Sequence, residues 1–195
     1  MVSESTFSDQ PLRVVFVCRA NIARSPLAAA MLRALVSAPG LWVGSAGVSA
    51  REGYPAAREA MELAAARGLD LSDHRSVRVS GELLRDSDLV LAMTEDQRDE
   101  CASQVPGAGP RTFTLREFVR LLGEIPDGAN PSTTTARVRW VRDQAHAARP
   151  RASRPARPED LVDPTGRPPQ AWEEMGRDLD ELIGRIRRAV DPSGG

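Results

Sequence analysis

The sequence predicts an α/β protein in which a parallel sheet is covered by helices on both faces. Two observations carry this. Short apolar runs, several rich in β-branched residues, alternate along the chain with longer segments of helical periodicity. The first of those runs, Leu12 to Val17, is apolar except for Arg13 and continuously so from Val14, as suits a strand buried on both faces. A third observation is consistent with both: at 195 residues and 41% hydrophobic, the chain can bury one substantial core, which excludes global disorder.

The elements follow in order. Leu12–Val17 (LRVVFV) reads as a central strand. Residues 18–25 break the pattern, and Pro26–Val36 reads as a helix with Ser25 as N-cap and Pro26 at its first position. Leu41–Val43 begins a second strand that ends at Ser45-Ala46-Gly47. Pro55–Arg67 is an Ala-rich amphipathic helix stopped by Gly68. A polar segment with His74 leads to a brief helix near 80–85 and a buried strand, Asp88–Met93. Glu95–Val105 is helical, Thr112–Leu115 a fourth strand, and Leu115–Leu122 an amphipathic helix. Gln170–Val190 places Trp172, Met175, Leu179, Leu182, Ile183 and Ile186 at helical spacing. With four Phe, three Trp and one Tyr, the core is expected to be aliphatic.

One domain is expected over 12–195, after a flexible N-terminus at 1–11 and with an insertion at about 124–160. Residues 130–158 hold seven Arg, four Pro and one acid, Asp143. This stretch reads as a short helix around Ala136–Ala148 followed by a flexible Pro/Arg segment. A solvated loop is the reading favoured over a docking surface for an acidic partner. The formal net charge of −1 argues against a dedicated nucleic-acid binder. No apolar run approaches the ~20 residues of a membrane span, and Met1–Gln10 lacks the basic and apolar parts of a signal peptide. A cytoplasmic protein without membrane or nucleic-acid partners is expected. Two cysteines, Cys18 and Cys101, cannot build a disulfide framework.

The chemistry is concentrated in Cys18-Arg19-Ala20-Asn21-Ile22-Ala23-Arg24-Ser25, a C-x5-R-S run between a strand and a helix. Such a loop can curl so that its backbone N–H groups and the helix N-terminus converge on one centre, an anion nest. Arg24 offers a planar fork matched to two phosphate oxygens. Cys18 at the base of that nest lies in a field that favours the thiolate, a nucleophile aimed at phosphorus. A buried structural Cys beside an ordinary surface Arg would leave the strand–turn–helix setting unexplained.

FVCRANIARSPLA resembles the phosphate-binding signature of the low-molecular-weight protein tyrosine phosphatase family. Ser45-Ala46-Gly47, the Gly68–His74 segment, Asp88–Met93 and the Asp163-Pro164 pair ahead of a long last helix resemble other pieces of that family, in order. The resemblance implies a flavodoxin-like three-layer αβα sandwich with four parallel strands, and a phosphomonoester hydrolase, foremost a protein-tyrosine phosphatase. It implies Cys18 as nucleophile, Arg24 as phosphate clamp, and Ser25 as donor to the sulfur. Asn21 would hold the loop in a network with Ser25, Ser45 and His74. Asp163 would be the acid that protonates the leaving oxygen and then the base that activates water. Arg19, Ala20, Asn21, Ile22 and Ala23 would cradle the phosphate. No metal and no cofactor is called for, and phosphate and vanadate-like oxyanions should inhibit.

Some positions depart from the family pattern. Ala20 stands for a usual Gly, and Ala23 for a second loop cysteine found in many members. Arg51 and Thr165 occupy positions where aromatic residues commonly flank the substrate, and Tyr54 is a candidate substitute. Two rival readings remain: an arsenate reductase working with an external thiol, and a phosphate-recognition module without turnover. Were Asp163 not the acid, Glu159 or Asp160 would be next.

Overall fold

The structure, a computed structural model, describes residues 11–126, 131–153, 155 and 159–191. The expected flexible N-terminus falls outside these apart from Pro11, as do parts of the Arg/Pro stretch, residues 154 and 156–158.

Four strands, β1 (Leu12–Cys18), β2 (Leu41–Gly47), β3 (Leu89–Ala92) and β4 (Thr112–Thr114), form one parallel sheet in the order β2-β1-β3-β4. Alternation along β1 divides the core in two. Leu12, Val14, Phe16 and Cys18 face a layer built by α1 (Arg24–Leu35), α2 (Arg58–Ala65), α5 (Leu115–Leu122), α6 (Thr134–Ala148) and α7 (Pro169–Val190). Val15 and Val17 face a smaller layer with Leu84 of α3 (Gly81–Asp86) and Cys101 of α4 (Glu95–Gln104). This is the expected three-layer sandwich. The core is less aliphatic than expected: Phe16, Phe113 and Phe118 are all fully buried, the last two edge to face with centroids 5.2 Å apart.

Two local expectations are corrected. The first helix begins at Arg24 rather than Pro26, and Ser25 is not its cap. The N-cap residue is Ala23, with no side-chain bond, because the Ser25 hydroxyl is turned back to Cys18. The second helix begins at Arg58 rather than Pro55, since Ala57 stays extended and its N–H is bound by the Ile22 carbonyl at 2.8 Å.

The helix expected around Ala136–Ala148 is present as α6, but it is packed rather than solvated. Val138, Val141 and Ala145, at i, i+3 and i+7, put one face of α6 into the core. At its end Arg149 grips the buried Glu117 carboxylate at 2.8 and 3.3 Å, donates to the carbonyls of Thr112 and Gly109, and lies 4.1 Å over the Phe113 ring. Glu117 also completes a capping box with Thr114 at the start of α5.

Candidate functional site

In the order β2-β1-β3-β4 the chain leaves β1 toward β2 on one side and returns to β3 on the other. The strand order therefore reverses beside the C-terminal end of β1, where the diverging connections open a crevice. Residues 18–25 sit there. The carbonyls of Cys18, Arg19 and Ile22 accept from the N–H groups of Val48, Ser49 and Ala57 at 3.0, 2.9 and 2.8 Å. The Asn21 carbonyl receives His74 Nε2 at 2.7 Å. With these carbonyls turned outward, the intervening N–H groups are left for the concave side, as an anion nest requires.

Cys18 is buried, and its Sγ accepts from the Asn21 N–H at 3.2 Å and the Ser25 hydroxyl at 3.0 Å. Asn21 is the only non-glycine residue with positive φ among the described residues, at 56°. Asn tolerates that left-handed geometry better than most side chains. Its amide nitrogen donates to Ser25 Oγ at 2.9 Å and Ser45 Oγ at 2.8 Å, while its oxygen accepts the Val77 N–H at 2.8 Å. Because a carbonyl can only accept, His74 carries its proton on Nε2. Burial holds the His74 pKa below the ordinary value; the nearby Arg33 and Arg75 charges add to that, while the bond to Asn21 opposes it. Gly47 closes the loop's back: a Cβ there would meet the Arg19 carbonyl oxygen at 2.7 Å and the Asn21 nitrogen at 2.8 Å.

Arg24, 3% exposed, reaches over the nest. One Nη donates to the Leu161 carbonyl at 3.0 Å, the other pairs with the Asp163 carboxylate, and Nε is buried with no partner. The second Asp163 oxygen accepts the Thr165 N–H at 3.1 Å. The segment before Asp163 is pinned at three points. Arg120 grips Glu159 at 2.8 and 3.1 Å, Asp160 accepts the Glu95 N–H at the start of α4 at 2.8 Å, and the Leu161 N–H donates to the Met93 carbonyl at 2.7 Å. Glu159 and Asp160 are thus held by partners away from Arg24, and Asp163 is the carboxylate that meets it.

Above the nest opens a cleft of about 550 Å³. One wall carries Arg19, Val48 and Ser49, a second Thr94, Asp96, Gln97 and Glu100 of α4 and its cap, and a third Asp160–Asp163 with Arg167. No aromatic side chain lines it. Tyr54 is exposed elsewhere, its backbone paired with Ser76, and the Arg51 carbonyl accepts the Ser76 hydroxyl. The sequence reading had not foreseen Gly47, Val77, Leu161 or the α4 wall. Their spacing along the chain carries no motif, although Gly47 was quoted for its place in Ser45-Ala46-Gly47. Among the described residues there is no cluster of metal-ligating side chains, and no helix is long and apolar enough to cross a membrane.

The family model described as low molecular weight phosphotyrosine protein phosphatase matches residues 13–149. A probable low molecular weight protein-tyrosine-phosphatase, EpsP, of Ralstonia nicotianae is 42% identical over 105 residues, which are 54% of this chain and 71% of that protein. The YwlE arginine phosphatase from Geobacillus stearothermophilus superposes with a TM-score of 0.69 at 31% identity, covering 94% of this chain and 95% of that one. A low molecular weight protein tyrosine phosphatase from T. tengcongensis gives 0.64 at 30% identity, over 90% and 97%.

Proposed function

The chain belongs to the low molecular weight phosphotyrosine protein phosphatase family, and from that premise we propose that it hydrolyses phosphotyrosyl proteins of the cytoplasm through a phosphocysteine at Cys18. The family membership makes it a phosphatase acting on phosphoproteins. The substrate and the residue roles are our reading. The observation that carries the roles is the convergence of Arg24, Asp163 and a buried sulfur that accepts two hydrogen bonds.

In the first step Cys18 Sγ attacks phosphorus, the bond from phosphorus to the leaving oxygen breaks, and the Asp163 carboxyl gives that oxygen its proton. The nest N–H groups of residues 19–25 and the Arg24 fork hold the equatorial oxygens, whose charge they match best in the transition state. Phosphate entering Arg24's fork exchanges the ion pair to Asp163 for one to the substrate and frees the carboxyl to face the leaving group. In the second step water attacks phosphorus, Asp163 takes its proton, the S–P bond breaks and inorganic phosphate leaves. Phosphate and vanadate-like oxyanions then inhibit by occupying the same nest.

The arsenate reductase working with an external thiol is not favoured, since the family model and the relatives above are phosphatases. A version passing electrons between two cysteines has no support either, since Cys101 lies in the core layer on the far side of the sheet from Cys18. The test compares leaving groups in single turnover. Asp163→Asn should slow cleavage of a tyrosyl phosphate by roughly 10²–10⁴-fold and that of p-nitrophenyl phosphate far less, because p-nitrophenolate leaves without a proton. Equal losses would overturn the acid assignment. Cys18→Ser should end turnover while phosphate still binds; oxyanion affinity lost with activity would overturn the nest. Cleavage of a phosphoarginyl peptide but not a phosphotyrosyl one would overturn the substrate.

A further inference from the structure

A second cleft of about 500 Å³ lies behind the loop, at the free edge of β2. That volume is in the range of small-molecule sites. Arg33, Trp42, Ser45, His74 and Arg75 line it, and its lining contains no carboxylate. We propose that this cleft binds a small multivalent anion, a polycarboxylate or polyphosphate, and that the bound anion acts on the nucleophile loop from behind.

The first argument is unmatched charge. Arg33 is exposed, makes one hydrogen bond to the Val43 carbonyl at 3.0 Å and enters no ion pair among the described residues. Arg75 donates to the backbone carbonyls of Ser72 and His74 at 3.0 and 2.8 Å and likewise meets no carboxylate. Where carboxylates are within reach the chain does pair its guanidinium groups, as in Arg67 with Asp180, Arg116 with Asp178 and Arg120 with Glu159, but the lining of this cleft offers none. Two cations left facing one concavity repel each other, and an anion between them removes that cost. The guanidinium fork fits carboxylate and phosphate alike.

The second argument is the shape of the wall. Trp42 lies across Gly44, where a Cβ would meet its ring at 2.1 Å, and Arg13 covers it at 4.8 Å. The indole is thereby fixed as a rigid side to the cleft instead of filling it. The third argument is connection. His74 binds the Asn21 carbonyl and Ser45 accepts from the Asn21 amide, while the Asn21 N–H points at Cys18 Sγ. Two lining residues of this cleft are therefore one bond from the residue that shapes the nest. An anion held by Arg33 and Arg75 faces His74, reverses the field of those two cations on its ring, and favours the imidazolium.

Citrate and inorganic pyrophosphate serve as the two probes on the full chain. In NMR titrations either one should shift the His74 ring signals and raise the His74 pKa, and the active probe tells whether carboxylate or phosphate is preferred. Arg75→Ala and Arg33→Met should each weaken binding about tenfold, as loss of one charged fork implies, while basal turnover of p-nitrophenyl phosphate stays. The exposed Arg75 position keeps the test usable if the Arg33 variant folds poorly. Saturating probe should also change kcat, an effect that more substrate cannot remove. His74 signals unmoved by both probes, or moved equally in the two variants, would overturn the site. Binding with only competitive inhibition would overturn the coupling. The His74 readout needs no turnover, so failure of this site and failure of the phosphatase roles are separately visible.

Discussion

Asn21 can be removed in two ways that separate its hydrogen bonds from its backbone. In Asn21→Ala three buried or half-buried bonds disappear, to Ser25, Ser45 and the Val77 N–H. At about 1 kcal/mol net for each, that is about 3 kcal/mol. Alanine at φ 56° adds roughly 1 kcal/mol of left-handed strain. The expected loss is about 4 kcal/mol, or a fall in Tm on the order of 8–16 °C for a chain of this size. Asn21→Gly loses the same bonds without the strain, but glycine gives back about 0.5–1 kcal/mol through the greater freedom of its unfolded state. The two variants should therefore lie within about 1 kcal/mol of each other, well below the parent, when unfolded in urea. Both should also bind inorganic phosphate more weakly, since the loop's curvature depends on this residue. A loss below about 1 kcal/mol in Asn21→Ala, with phosphate affinity intact, would refute the claim that this side chain holds the nest.

Gly47→Ala should damage the loop without touching a catalytic group, because the new Cβ meets backbone atoms of Arg19 and Asn21 below 3.0 Å; kcat should drop at least tenfold while far-UV circular dichroism is unchanged. Arg149→Met should cost about 3 kcal/mol, the low end for breaking a buried pair because Arg98 still lies 3.8 Å from the Glu117 carboxylate, and urea unfolding measures it. Burial pushes the Cys101 thiol up to about 12, with Glu100 adding to it. Iodoacetamide at pH 8 should thus alkylate Cys18 and spare Cys101 in the native protein, as peptide mass spectrometry will read. The sign for stability follows: the raised Cys101 pKa gives a contribution fully present below the unfolded value near 9 and lost as pH climbs toward 12.

The strand–loop–helix unit at residues 12–35 was legible because three local signals coincide there: a continuous apolar run, the C-x5-R-S spacing, and Ser-Pro opening a helix. The role of Ser25 was visible only through the family resemblance. Residue propensity alone made it a cap, and the cap was displaced because the Cys18 sulfur, seven residues back, takes the same hydroxyl. The helix over 136–148 was expected, but its packing into the core was hidden by its composition. Its arginines read as solvated, yet Arg149 spends its charge on Glu117, 32 residues away in sequence, and no local pattern encodes such a pairing. The cleft behind β2 escaped for the same reason. Arg33, Trp42 and Arg75 are ordinary surface residues until the sheet edge brings them together.

The two parts of the proposed catalytic cleft differ in how they are encoded, and this has an evolutionary consequence. The proposed phosphate cradle is one octapeptide whose donors are mostly main chain, so it depends little on the side chain at Ala20. The rim comes from Thr94–Glu100 and Asp160–Arg167, segments far from the octapeptide in sequence and anchored through backbone bonds such as that of Leu161 to Met93. With Asp163 kept in place, the rest of such a rim can drift or be transplanted while turnover persists. Exchanging these two segments around a retained Asp163 with those of a relative of different preference should carry the preference across.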